Sequence, residues 1–314
     1  MESSQEIQRV AVVGTGTIGA SWSALFLANG LDVVATDPRP SAESDLRDYV
    51  AHAWPALVEM GLAEDASPER LHFAADVNKA CEVADFVQEN APERKELKTE
   101  LLARIDHIVR PDIIIASSSS ALLITELQCA CRHPERVILG HPFNPPHLMP
   151  LVELVGGQKT SSGALDRASA FYQSIGRTPI RLAKEVYGHV ANRLQGAVFR
   201  EAMHLLQSGV ATLGDIDKAM TEGPGLRWAL MGPFLTYHLA GGPGGMESFM
   251  KQFAPMQETL WKDLGRPSID SSVQQLVINS MKQETKGRSI EALAASRDRR
   301  IVSLLTARRQ TQRL

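Results

Sequence analysis

Cysteine is scarce in this chain: Cys81, Cys129 and Cys131 are all that 314 residues contain. Three cysteines cannot form a paired disulfide framework, and no histidine stands at zinc-ligand spacing from them, so no metal is expected. A reducing compartment, the cytoplasm, is the expected location. Excess positive charge is also lacking. The formal net charge is -3, which argues against nucleic acid as the main partner. No apolar run reaches membrane-spanning length, so no membrane partner is expected. Residues 1–8 are polar and lack the apolar core of a signal peptide. There is no internal repeat and no low-complexity segment.

What is present suits a globular protein of two domains. Hydrophobic residues make up 44% and charged residues 22% of the chain, ordinary values at a length that can bury a sizeable core. The most informative stretch is R-V-I-L-G-H-P-F-N-P-P-H-L-M-P-L-V-E-L-V-G-G, residues 136–157. It reads as strand, loop, strand. Residues 136–140 are a short apolar run with His141 at its carboxyl end. Pro142, Pro145, Pro146 and Pro150 then forbid a helix. Residues 151–155 resume the strand pattern around Glu153. A carboxylate inside an apolar strand needs a partner. The imidazole of His141 is the nearest candidate, and a carboxylate on one ring nitrogen leaves the other free to take a proton. The alternative is that Glu153 meets an arginine and His141 only fills a turn.

At the other end of the chain, R-V-A-V-V (residues 9–13) reads as a first strand, followed at once by Gly14-Thr15-Gly16-Thr17-Ile18-Gly19. A helical pattern over residues 21–29 ends at Gly30, and residues 31–36 form a second strand that stops at Asp37. This is the dinucleotide fingerprint in its βαβ setting, with the acid 18 residues after the third glycine. Gly14 permits a tight turn, Gly16 admits a pyrophosphate, and Gly19 allows helix and strand to pack. The N–H groups around Thr17 and Ile18, at the positive end of the helix, meet the phosphates. Asp37 accepts from a ribose 2′-hydroxyl and repels a 2′-phosphate, so NAD is the expected cofactor. Arg39, close by, weighs the other way.

Residues 38–78 read as helical, with a capping signal at Ser67-Pro68-Glu69. Further strands are expected at residues 84–88, 112–116 and 178–182, and helices at 94–108 and 161–175. Glu89, Ser120 and His141 follow strand ends, where ligands bind in open parallel sheets. Beyond His189 strand patterns vanish and helical ones take over. The fold expected is α/β: a Rossmann-type doubly wound N-terminal domain over residues 1–187, followed by a smaller all-helical C-terminal domain over residues 188–314. His189, His204 and His238 read as structural or surface histidines. The basic tail from residue 286 on reads as a solvated helix face.

Six motifs together resemble the 3-hydroxyacyl-CoA dehydrogenase superfamily over nearly the whole chain. They are V-A-V-V-G-T-G-T-I-G (10–19), Q-E-N-A-P-E-R-K-E-L-K (88–98), A-S-S-S-S-A-L (116–122), G-H-P-F-N-P-P (140–146), L-V-E-L-V (151–155) and G-H-V-A-N-R-L (188–194). The branch resembled most acts on free hydroxy acids and includes enzymes of L-carnitine and L-gulonate as well as lambda-crystallin. The resemblance implies His141 as catalytic base, Glu153 as its orienting acid, and Ser120 and Asn192 as active-site residues. It also implies that Glu93, Lys98, Ser120 and Asn144 lie against the cofactor, and that the protein is a homodimer. Two departures stand out. Four serines replace the usual S-N-T-S, and His189 and Ala191 stand where the superfamily has G-F-I-V-N.

The expected reaction is reversible NAD-dependent oxidation of a small 3-hydroxy acid. His141 takes the hydroxyl proton, Glu153 steadies the ring, and Ser120 and Asn192 hold the same oxygen. In their plainer readings Ser120 is a helix cap and Asn192 a packing residue. The stretch 38–78 has eight acidic residues, three arginines and no lysine, a poor surface for CoA phosphates, which favours a free acid. Arg227 is the candidate for its carboxylate. Trp228 and Tyr237 are candidates for a quaternary ammonium group through cation–π attraction, unless they are core. L-Carnitine is the expected substrate. L-Gulonate and an (S)-3-hydroxyacyl-CoA are the alternatives, and a crystallin-like structural role is the non-enzyme reading.

Overall fold

The computed structural model describes residues 6–311. Residues 1–5 of the polar amino-terminal stretch, and residues 312–314 of the basic tail, lie outside the described residues. The chain forms two compact units: one runs up to Asn192 and takes in Arg297–Thr306, the other comprises Arg193–Ser296 and the residues from 307 on.

The first unit is built on an eight-stranded sheet: β1 (Arg9–Val13), β2 (Asp32–Thr36), β3 (Leu71–Phe73), β4 (Phe86–Glu89), β5 (Ile114–Ser117), β6 (Val137–Pro142), β7 (Leu151–Gly156) and β8 (Thr178–Arg181). Their order is β3-β2-β1-β4-β5-β6-β7-β8. Every neighbouring pair is parallel except β6 and β7, which are antiparallel. The helices are α1 (Thr17–Ala28), α2 (Ala42–Met60), α3 (Val77–Cys81), α4 (Lys95–Ile108), α5 (Ile124–Leu127) and α6 (Ser162–Ser174). This is the Rossmann-type, doubly wound arrangement.

The period-two alternation of β1 explains why both faces are covered. Val10 and Val12 belong to one buried cluster, with Trp22 and Phe26 of α1 and Phe171 and Tyr172 of α6. Ala11 and Val13 belong to the other, with Leu102 and Ile105 of α4. A strand buried on both faces must be apolar throughout, as R-V-A-V-V nearly is. Each large side chain so buried stabilises the fold by about 1.5–3 kcal/mol.

One expectation is corrected here. Residues 38–78 are not helical throughout. α2 ends at Gly61, whose φ of 97° leaves the helix. Ser67 caps only a 3₁₀ turn, accepting from the Glu69 N–H at 3.1 Å. The chain then adds β3 beside β2. Three residues are too short to show a strand period, and their pairing comes from β2.

The second unit contains no strand among its described residues. It carries α7 (Ala191–Gln207) from Arg193 on, α8 (Leu213–Glu222), α9 (Pro224–Trp228), α10 (Pro233–Ala240), α11 (Gly245–Asp263), α12 (Ser271–Thr285) and most of α13 (Ile290–Thr311). Thr212 and Asp270 cap α8 and α12 through backbone N–H groups. Phe234, Leu230, Trp261 and Ile290 are each at least 65% exposed.

A buried polar contact ties α1 to the loop after β6. Ser21 Oγ lies 2.8 Å from His147 Nδ1 and accepts from the His147 backbone N–H at 2.9 Å. Burial pushes the His147 imidazole down to about 4. A histidine held neutral in the fold binds its proton more readily once unfolded, so its contribution is complete above about pH 6.5 and is lost as pH falls toward 4. Denaturant titrations of wild type should show up to about 3 kcal/mol of this loss between those limits. His147→Gln should flatten the dependence, and an unchanged pH profile in the variant would count against the assignment.

Candidate active site

The glycine loop shows three glycines under three different constraints. Gly14 turns with φ 90°, and a Cβ there would stand 2.8 Å from the Asn90 backbone. A Cβ on Gly19 would stand 1.9 Å from the Gly14 carbonyl oxygen. A Cβ on Gly16 would meet no atom within 4 Å. Gly14 and Gly19 are thus required by the fold, whereas Gly16 opens onto free space. Gly16 is also the N-cap of α1, where no side chain caps the first turn. The N–H groups there, at the positive dipole end, remain free for an anion. Thr15 Oγ1 is buried without a partner.

Asp37 follows β2 and braces this loop. It accepts from the Thr15 N–H at 2.9 Å and from the backbone and Nε of Arg39 at 3.0 Å each. Burial pushes its carboxyl up, but these bonds outweigh burial and hold it below the usual carboxylate range. Arg39 also reaches Asp45 at 3.2 Å, so its guanidinium is shared between two carboxylates. The loop, the open Gly16 and the ionised Asp37 fit NAD.

The second cluster stands on the antiparallel β6–β7 pair. His141 and Glu153 are directly opposite in its register, and His141 Nδ1 lies 2.9 Å from Glu153 Oε2. The other oxygen, Oε1, accepts from the N–H groups of Val190 and Ala191 at 2.8 and 3.0 Å. Burial pushes the Glu153 carboxyl up; the bonds from His141, Ala191 and Val190 outweigh it and keep the group low and ionised. A carboxylate on Nδ1 assigns the proton to that nitrogen and leaves Nε2 as acceptor. The arginine at the start of this stretch is engaged elsewhere: Arg136 is buried against Asp106 at 2.7 Å.

The four serines have distinct partners. Ser117 donates to Glu89. Ser118 donates to Asn90 at 2.7 Å and accepts from Gln88 and Trp22. Ser119 donates to Glu93 at 2.6 Å. Ser120 is exposed, and its Oγ reaches Glu93 only at 3.4 Å. Its carbonyl accepts from Asn192 Nδ2 at 3.2 Å. Glu93 also accepts from the backbone N–H groups of Ser120 and Ala121 at 2.9 Å each, fixing the turn. Burial pushes Glu93 up, but the bond from Ser119 and the charge of Lys98 prevail and lower it.

His141, Glu153, Ser120 and Asn192 are therefore joined through one set of contacts. Lys98, expected against the cofactor, is 1% exposed and ion-paired to Glu89 at 2.9 Å. Asn144 is exposed on the loop after β6. Arg227, Trp228 and Tyr237 belong to the second unit and are exposed, and Tyr237 stacks on Phe249 at 4.7 Å. Trp228 and Tyr237 are thus not core residues of this chain. His189, read as structural or surface, is buried with its ring 5.1 Å from that of His141. The hint was its polar ring within G-H-V-A-N-R.

A doubly wound sheet with a dinucleotide loop defines the class: an NAD-dependent oxidoreductase. The NAD binding domain of 3-hydroxyacyl-CoA dehydrogenase matches residues 9–186, and the C-terminal domain of the same enzymes matches residues 188–268. The chain belongs to the 3-hydroxyacyl-CoA dehydrogenase family. It is 48% identical over 307 residues to an L-carnitine dehydrogenase of Streptomyces coelicolor, covering 98% of this chain and 96% of that one. Identity and both coverages are the same for the L-carnitine dehydrogenase of Pseudomonas aeruginosa. Among solved structures, an NAD+-dependent 5-formyl-3-hydroxy-2-methylpyridine 4-carboxylic acid 5-dehydrogenase superposes with a TM-score of 0.82 at 29% identity, covering 95% of this chain and 97% of that one.

The contrast between two glycines tests the cradle. Gly16→Ala should fold with wild-type thermal stability yet raise the KM for NAD about tenfold or more, a loss of about 1.4 kcal/mol. Gly19→Ala should lose thermal stability outright. Equal NAD affinity in Gly16→Ala and wild type, measured by fluorescence titration, would remove Gly16 from the phosphate site.

Proposed function

We propose that this NAD-dependent 3-hydroxy acid dehydrogenase oxidises the 3-hydroxyl of L-carnitine to the 3-oxo acid, with His141 as general base. The observation that carries the mechanism is the anchored pair: a buried, ionised Glu153 holding His141 Nδ1 at 2.9 Å. Identity of 48% to L-carnitine dehydrogenases across 98% of the chain supports the substrate.

His141 Nε2 takes the hydroxyl proton as the carbinol carbon gives up its hydride. NAD, when bound, supplies the hydride acceptor. Glu153 holds the ring and stabilises the imidazolium that forms. Ser120, the serine whose hydroxyl is least engaged, donates to the substrate oxygen together with Asn192. Glu93 and Asn144 border the cofactor, and buried Lys98 fixes the base of that wall through Glu89. In the helical unit Arg227 pairs with the carboxylate, and the exposed rings of Trp228 and Tyr237 receive the trimethylammonium group.

The chain acts as a homodimer, a reading supported by the exposed Phe234, Leu230, Trp261 and Ile290 of the helical unit. Its three cysteines are free thiols, as in a reducing cytoplasm. No helix among the described residues is long and apolar enough to cross a membrane.

His141→Ala should lower kcat by about 10²–10⁴-fold while leaving NAD affinity near wild type. Glu153→Gln keeps a carbonyl for the Val190 and Ala191 N–H groups, and should lower kcat without unfolding. Turnover of L-carnitine, L-gulonate and 3-hydroxybutyryl-CoA with NAD tests the substrate. Dominant activity on the thioester would defeat the free-acid reading.

A further inference from the structure

His189 carries two unfavourable features at once. Its φ of 52° is left-handed, a conformation a side chain with a Cβ rarely adopts. It is 1% exposed, and its Nδ1 is buried without a partner. A glycine would relieve the first and an apolar ring the second. Backbone strain of this kind gathers at functional sites, and here it lies beside the base: the His189 and His141 rings are 5.1 Å apart.

The contacts show what the position achieves. The left-handed turn at Gly188 and His189 directs the next two N–H groups, of Val190 and Ala191, onto Glu153 Oε1. The ring turns the other way, placing Nε2 3.2 Å from the Ser119 carbonyl oxygen. A carbonyl oxygen only accepts, so Nε2 carries the hydrogen and Nδ1 of the neutral ring is a bare acceptor. Ser119 immediately precedes Ser120, whose own carbonyl is held by Asn192.

We infer that His189 is a positioning residue of the active site: its backbone aims the Val190 and Ala191 N–H groups at Glu153, and its Nε2–H fixes the Ser119–Ser120 turn. The two parts are separable, because one depends on φ and the other on a donor. The inference rests on His141 being the base. Titratable groups facing His189 are His141 on β6, Glu153 on β7 and Glu93 after β4. Burial, with the charge of His141, lowers its imidazole below the ordinary value, while the two carboxylates oppose this. Neutral His189 is therefore the working form, and its protonation would leave an Nδ1–H buried without an acceptor.

Three variants test this, assayed with NAD and whichever of the three substrates wild type turns over fastest. Glutamine carries an amide N–H where the imidazole Nε2–H lies and leaves the backbone strain little changed, so His189→Gln should fold normally and retain kcat within about threefold. His189→Gly keeps the turn and loses the donor; kcat should fall about 10–100-fold, with the KM for NAD within about twofold. His189→Phe loses the donor and keeps the strain, so its kcat should fall as in His189→Gly while its thermal midpoint stays near wild type. The acid limb of log(kcat/KM) should be steeper in wild type than in His189→Gln, which has no imidazole to protonate at this position. Wild-type kcat in His189→Gly, or equal kcat losses in the glutamine and glycine variants at unchanged thermal midpoints, would overturn the inference. An acid limb as steep in His189→Gln as in wild type would do the same. Failure of the underlying reading is seen separately, as retained turnover in His141→Ala.

Discussion

A fully buried carboxylate is stable only if donors replace the water it has lost. Glu153 has three: one imidazole N–H and two backbone N–H groups. The β6–β7 register supplies the first, since an antiparallel pair sets His141 and Glu153 face to face. The backbone of Val190 and Ala191 supplies the other two. Removing either support would leave a charge in the core with too few partners. The same acid therefore stabilises the fold and determines which nitrogen of His141 is free.

The serine run solves a similar problem with opposite results for its members. Glu89 and Glu93 both need donors, and the first three serines help to provide them or saturate their neighbours. Ser120 comes last, is exposed, and keeps its hydroxyl nearly free. A repetitive motif thus yields one distinctive oxygen because Glu89, Asn90 and Glu93 engage the other three. Lys98 belongs to this balance, as its ammonium is buried against Glu89 and lies 3.8 Å from Glu93.

The parts of the chain legible in sequence were those governed by neighbours close along it. The βαβ unit around Gly14–Gly19 reads directly, because its turn, helix start and acid lie within one short span. The strands flanking the proline loop read for the same reason, and prolines leave few conformations open. β3 did not read, because its three residues become a strand only by pairing with β2. The inward turn of Lys98 depends on an acid nine residues earlier on another element. The surroundings of His189 did not read either, because Ser119 and His141 are 70 and 48 positions away. Polar residues whose partners are remote in sequence carry no local pattern to betray them.

The bracing of the glycine loop by Asp37 bears on attempts to redesign coenzyme choice. Accepting a 2′-phosphate ordinarily means deleting the ribose acid and freeing a nearby cation. Here the acid also holds the Thr15 N–H, and Arg39 is tethered to it and to Asp45. Neutralising Asp37 would release the arginine, but it would also slacken the glycine-rich turn it braces. A switch toward the phosphorylated dinucleotide would therefore need a replacement acceptor for that amide, installed in the same round of mutation.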